Sequence, residues 1–221
     1  MAATPTPLVV FDCDGVLVDS ERLAVDLDVR VLGKLGWQIT REEVVERFLG
    51  RSDADVRADV EAYLGRPLPG DWDEGWVDDY RRVLEEELVA VPGVADAVAE
   101  LTARGYATCV ASSGSHAKME HTLALTDLWT WFEGRIFSAT EVPHGKPAPD
   151  LFLHAAATMG FEPSACVVVE DSRYGVAAAR AAHMSVVGYA GGITPPDHLA
   201  DADIVITDMG DLVATIEGLS T

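Results

Sequence analysis

Six short apolar runs constrain this 221-residue chain more than any other feature: residues 8–11, 106–111, 136–138, 166–169, 185–189 and 204–206. From Pro92 onward they alternate with stretches of helical periodicity at 94–104, 116–125, 150–159 and 175–183. Such alternation predicts parallel βαβ units joined by right-handed crossovers, hence an open α/β sheet covered on both faces. The first run belongs to the same sheet but is separated from the rest by some seventy residues without a strand. There Leu23, Leu27, Val31 and Leu35 recur every four residues and stop at Gly36, the pattern of an amphipathic helix with a glycine end. Thr40-Arg41-Glu42-Glu43 has capping-box spacing, and further helices fit 55–64 and 72–88. The expected organisation is an α/β core formed by residues 1–18 and 92–221, with a helical cap inserted at 19–91.

In a parallel sheet the carboxyl ends of all strands share one edge, so residues distant in sequence meet there. Four segments bring unusual polar content to that edge. Asp12-Cys13-Asp14-Gly15 follows the first run and directs two carboxylates to the same side. Ser112-Ser113-Gly114-Ser115 offers hydroxyls and backbone N–H groups at a helix start, suited to an anion. Lys146 sits in Gly145-Lys146-Pro147-Ala148-Pro149, a fixed charge for phosphate on a proline-stiffened loop. Glu170-Asp171-Ser172 ends the 166–169 run in adjacent acids. Each segment alone also fits ordinary structure: an Asp-rich turn, a serine N-cap, a surface lysine, a solvated loop. Together they bring three or four carboxylates to one edge, where they would repel and raise one another's pKa values. A hard divalent cation relieves that, and Mg²⁺ takes oxygen ligands of this kind.

Composition narrows the partners. A formal charge of −21 and a pI near 4.4 disfavour nucleic acid and anionic membrane surfaces, and there are only three lysines, Lys34, Lys118 and Lys146. Cys13, Cys109 and Cys166 lie in or beside apolar runs. They fit neither a disulfide framework nor a zinc site and are expected to be buried in a reducing cytoplasm; Cys13 as a nucleophile is the sharper alternative. The segment 1–7 carries no positive charge and leads into only four apolar residues, so neither signal peptide nor membrane anchor is expected. The expected partner is a small phosphorylated molecule, and the expected state a monomer.

In the order DCDGV, VASS, GKPAPD and VVVEDS, the four segments resemble those of the haloacid dehalogenase-like hydrolases, in the branch with a helical cap after the first motif. The resemblance extends over essentially the whole chain and implies a Rossmann-like core. It implies that Asp12 is a nucleophile forming an aspartyl-phosphate and that Asp14 is a general acid/base, kept supplied with a proton by crowding among carboxylates. Ser112, Ser113 and Lys146 would hold the phosphoryl group. Asp12, the Asp14 carbonyl and Asp171 would bind Mg²⁺, with Glu170 close in or acting through water. Family dehalogenases and phosphonate-cleaving members lack an acid two residues after the nucleophile, so Asp14 points to phosphoryl transfer. Sugar-phosphate mutases of the β-phosphoglucomutase type share the four motifs but carry a cap histidine and a cap lysine. Here those positions correspond to Ala24 and to Trp76 or Val77, which favours a phosphatase. The run from Ser112 to His121 resembles bacterial phosphatases acting on phosphosugars or sugar acid phosphates. A non-catalytic phospho-ligand binder is the third possibility. Arg51, between two cap helices, is the candidate cap contact to substrate, against a solvated helix-end arginine. Trp72 and Trp76 read as cap core, and none of the six histidines is assigned a role.

Overall fold

The computed structural model describes residues 7–49, 51, 53–69 and 74–219. Its centre is a six-stranded parallel sheet: β1 (Leu8–Phe11), β2 (Ala107–Ser112), β3 (Ile136–Ser138), β4 (Cys166–Glu170), β5 (Ser185–Tyr189) and β6 (Ile204–Ile206). The spatial order is β3-β2-β1-β4-β5-β6. Every strand-length apolar run therefore became a strand. β1 pairs with both β2 and β4, in registers Phe11↔Val110 and Phe11↔Val169. The chain runs outward from β1 through β2 to β3 and returns to β4 on the other side of β1, and this reversal beside β1 opens a crevice beyond its carboxyl end.

Alternation along the strands divides the core in two. Val9, Phe11, Val110, Val169 and Val187 pack on one face beneath α5 (Val94–Ala103), α6 (His116–Leu125), α7 (Trp129–Phe132) and α10 (Leu212–Leu219). Leu8, Val10, Cys109, Val168 and Val186 pack on the other beneath α8 (Asp150–Met159) and α9 (Arg173–Ala181). The five residues named on each face are all fully buried, and each such side chain contributes on the order of 1.5–3 kcal/mol by leaving water. Two helices were not expected. α7 is a single turn, and the apolar residues of α10 are too densely spaced to show a period.

Between β1 and α5 lie α1 (Ser20–Leu35), α2 (Arg41–Phe48), α3 (Asp53–Leu64) and α4 (Glu74–Glu87). α1 ends at Gly36, whose φ of 99° is open to glycine and strained for other residues. At α2 the capping box is present: the Glu43 N–H donates to Thr40 Oγ1 at 3.2 Å, and the Thr40 N–H donates to Glu43 Oε2 at 2.9 Å. Val25, Leu32, Trp37, Val44, Phe48 and Val60 form a separate small core within these helices. The chain leaves and re-enters the sheet side by side. The Asp19 N–H donates to the Val89 carbonyl and the Val91 N–H to the Leu17 carbonyl, both at 3.0 Å, with an antiparallel bridge between Val18 and Ala90. Trp72 and the side chain of Trp76 lie outside the described residues.

Candidate active site

The four polar segments converge beyond the carboxyl end of β1, around a cavity of about 630 Å³ roofed by the helical insertion. Asp12 is 7% exposed, and its N–H donates to the Val169 carbonyl at 3.0 Å, continuing the β1–β4 ladder. The chain bends at Cys13, which turns into the core, and both Asp12 and Asp14 line the cavity. Burial, reinforced by Asp12 and Asp14, pushes the Cys13 thiol well above its ordinary value. That leaves it protonated and excludes it as a nucleophile.

Lys146 comes from the loop after β3 and is almost wholly buried. Its Nζ donates to Asp12 Oδ1 at 2.7 Å and to Glu170 Oε1 at 2.5 Å, and lies 5.0 Å from the centre of the Phe152 ring. Glu170 in turn accepts at Oε2 from the Ser172 N–H (2.8 Å) and the Ser172 hydroxyl (2.9 Å). Ser172 caps α9 by accepting from the Gly175 N–H at 3.0 Å. Gly175 is required here, because a Cβ on it would lie 1.7 Å from Glu170 Oε1. Both oxygens of Glu170 are thus engaged within the protein, and the residue serves first as the seat of Lys146.

Asp171 accepts from the Thr194 hydroxyl at 3.2 Å. It faces Gly15, which has φ of 78° and where a Cβ would lie 2.1 Å from Asp171 Oδ2. Asp12, Glu170 and Asp171 each offer an oxygen within 4.8 Å of the others, all buried. Burial is the largest influence on Asp12 and pushes its carboxyl up to about 7; Glu170 and Asp14 add to the shift and Lys146 opposes it. Burial likewise raises Asp171 well above the usual carboxylate range, with Glu170, Glu21 and Asp12 adding to it. One lysine does not balance these acids. An all-oxygen, buried and under-compensated donor set fits a hard divalent cation.

Asp14 behaves differently. Its Oδ1 accepts from the Ser20 hydroxyl at 2.6 Å and its Oδ2 from Lys118 Nζ at 2.8 Å. Burial alone would raise its pKa, but the Lys118 charge and the hydrogen bonds from Lys118 and Ser20 outweigh that and lower it. Crowding therefore does not keep a proton on Asp14: the lysine beside it holds it ionised, and the two form one unit. Lys118 was the functional position that sequence reasoning left without a role. The usable signal was scarcity, three lysines in 221 residues with this one a single turn into a helix beside the serine loop.

Ser112 is buried at the end of β2 and accepts from the Gly114 N–H at 3.3 Å, while the Ser138 hydroxyl donates to the Gly114 carbonyl at 2.7 Å and ties down the turn. Ser113 is exposed but also lines the cavity. Ser115 is an ordinary N-cap, accepting from the Lys118 N–H at 3.3 Å. From the insertion, Arg51 reaches the cavity wall, its Nη1 donating to Asp59 Oδ2 at 2.5 Å and to the Arg47 carbonyl at 3.3 Å. Glu21, Asp28 and Tyr80 also line the roof. Burial pushes Glu21 up to about 8, with Asp14 adding to the shift.

A model of the haloacid dehalogenase-like hydrolases matches residues 6–183. The chain is 31% identical over 179 residues to the 6-phosphogluconate phosphatase of Escherichia coli K12, covering 80% of each protein. It is 31% identical over 210 residues to hexitol phosphatase B of the same organism, covering 93% of each. Among solved structures, it resembles a haloacid dehalogenase-like protein of unknown function from Agrobacterium tumefaciens C58, with a TM-score of 0.85 and 35% identity. That match covers 97% of this chain and 99% of the other.

Proposed function

The chain belongs to the haloacid dehalogenase-like hydrolase family, and from that premise we propose that it is a Mg²⁺-dependent phosphatase of small phosphorylated metabolites, sugar phosphates or sugar acid phosphates. The observation that carries this reading is Lys146, a buried ammonium held between Asp12 and Glu170. A carboxylate is a poor nucleophile toward a dianion until the repulsion between them is removed and the two are aligned. Lys146 fixes Asp12 in position and supplies charge for the phosphoryl oxygens, and Ser112 and Ser113 line the same cavity.

On this reading Asp12 forms a bond to phosphorus as the ester P–O bond breaks, giving an aspartyl-phosphate and an alkoxide. The alkoxide takes a proton from the ammonium of the Asp14–Lys118 pair, relayed through the Asp14 carboxylate. A water molecule then attacks phosphorus, Asp14 takes its proton and passes it back to Lys118, and inorganic phosphate departs with Asp12 restored. Because these groups interact, their titration belongs to the cluster. Asp12, Asp171 and the Asp14 carbonyl would hold Mg²⁺, which would supply positive charge for the phosphoryl group; Glu170 is already engaged by Lys146 and Ser172. Ala24, at the position of the mutase histidine, lines the cavity, as does Val77, which with Trp76 stands at the position of the mutase lysine, and neither the Ala24 nor the Val77 side chain can move a proton.

The reading is tested by phosphate release from p-nitrophenyl phosphate and from an alkyl phosphate with Mg²⁺. Asp12→Asn abolishes turnover of both. Asp14→Asn loses far more activity on the alkyl phosphate, whose leaving oxygen needs the proton. An Asp12→Asn enzyme as active as the parent rejects the mechanism.

A further inference from the structure

We propose that the leaving-group half of the cavity is built for an uncharged, polyhydroxylated phosphomonoester and selects against substrates bearing a second negative charge. This deepens the phosphatase reading and rests on it. Along α1, Glu21, Ala24, Val25 and Asp28 occupy positions i, i+3, i+4 and i+7 and all line the cavity. They form one helical stripe, with a carboxylate at each end and small apolar side chains between. Facing substrate hydroxyls, an ionised carboxylate accepts at about four lone-pair sites, and a protonated one, as the raised Glu21 can be, also donates. Hydroxyl-to-carboxylate hydrogen bonds are charge-assisted and short. Val25, Phe48 and Val77 give the carbon chain apolar contacts alongside.

The cations of the cavity support the same conclusion. Lys146 is engaged by Asp12 and Glu170, Lys118 by Asp14, and Arg51 by Asp59. Each already has a carboxylate partner, so none is held in reserve for a carboxylate on the substrate. Among the described lining residues six acids face three cations, an excess that one divalent cation would reduce but not cancel. A second anion on the leaving group would enter a negative field in a partly covered cavity, where like charges are less screened than in open solvent. Burial raises the proton affinity of Glu21 most, and the neighbouring Asp14, Asp12 and Asp28 add to it while Lys118 opposes them. Recognition of this kind works through repulsion as much as attraction.

The test compares sorbitol 6-phosphate with 6-phosphogluconate, six-carbon substrates that differ at carbon 1, a CH₂OH in one and a carboxylate in the other. Phosphate release is measured with Mg²⁺, with p-nitrophenyl phosphate as reference. The expected kcat/KM ratio favours sorbitol 6-phosphate by about tenfold or more. Glu21→Gln and, independently, Asp28→Asn shrink that ratio by about threefold or more, chiefly through KM. Circular dichroism checks that each variant is folded; two positions keep the test open if one is not. Equal use of the two substrates, or preference for 6-phosphogluconate, overturns this inference while turnover of p-nitrophenyl phosphate preserves the phosphatase reading. A ratio unchanged in both folded variants overturns it as well. A parent protein inactive on all three substrates overturns both.

Discussion

The sheet edge and the helical insertion line one cavity but rest on cores of different size. At the sheet edge each charged group is clasped by others: Lys146 by two carboxylates, Glu170 by Lys146 and Ser172, Asp14 by Ser20 and Lys118. These groups sit at the end of strands packed on both faces. On the insertion, a smaller core of eight buried residues among those described carries Glu21 and Asp28 to the cavity wall, where Arg51 is held by Asp59. Bond-making requires groups fixed to a fraction of an ångström, whereas recognising a leaving group tolerates a looser wall.

The sharpest way to break that contrast is Lys146→Met. It leaves Asp12 and Glu170 buried together without their cation. Removing one partner of a buried pair costs about 3–5 kcal/mol, so urea denaturation should show a large loss of stability and phosphate release should fall by about 10³-fold or more. Gly175→Ala follows, because its methyl group collides with Glu170 and disturbs the seat of Lys146. Overpacking of this kind costs about 1–3 kcal/mol, and kcat should fall while KM changes little.

Metal and pH together test the charge balance of the sheet edge. Asp12 is raised from 3.8 to about 7 and Glu21 from 4.5 to about 8, with Asp171 also raised. Over that interval the folded chain binds more protons than the unfolded one, so these groups make stability fall as pH rises through it. Asp14, being lowered, acts in the opposite direction below its ordinary value. In EDTA the melting temperature should therefore drop between pH 5 and pH 8, and Mg²⁺ should raise it more at pH 8 than at pH 5. A Mg²⁺ effect equal at both pH values would separate cation binding from these carboxylates. The smallest effect is expected on the insertion side. Glu46 of α2 accepts from Arg173 at 3.2 Å and meets His198 at 2.8 Å across the seam between the two regions. Glu46 is exposed, and Glu46→Gln should leave melting unchanged and move KM by less than about threefold.

The two regions also differed in how well they could be read from sequence. Strand positions were legible because short apolar runs, bounded by turn residues, admit few other structures. The acids at their ends were legible because a parallel sheet gathers those ends. Asp14's partners were not. Lys118 lies 104 residues away on a helix, and only the packing of α6 against the sheet brings it there. The direction of the Asp14 shift was misjudged for that reason. Glu21 followed the same logic, since a helical stripe shows which residues share a face but not what the face meets. Gly175 looked like an ordinary helix residue until Glu170 was seen occupying the space of its missing Cβ.

The paired segments at Leu17–Asp19 and Val89–Val91 have an evolutionary consequence. The insertion starts and finishes at nearly one point, so the strand order beneath it is indifferent to what the insertion contains. Replacing everything between those two segments with another module of any length needs only ends that lie close together, a condition compact units commonly meet. Inheritance can therefore keep the groups of the sheet edge while exchanging the wall that covers them.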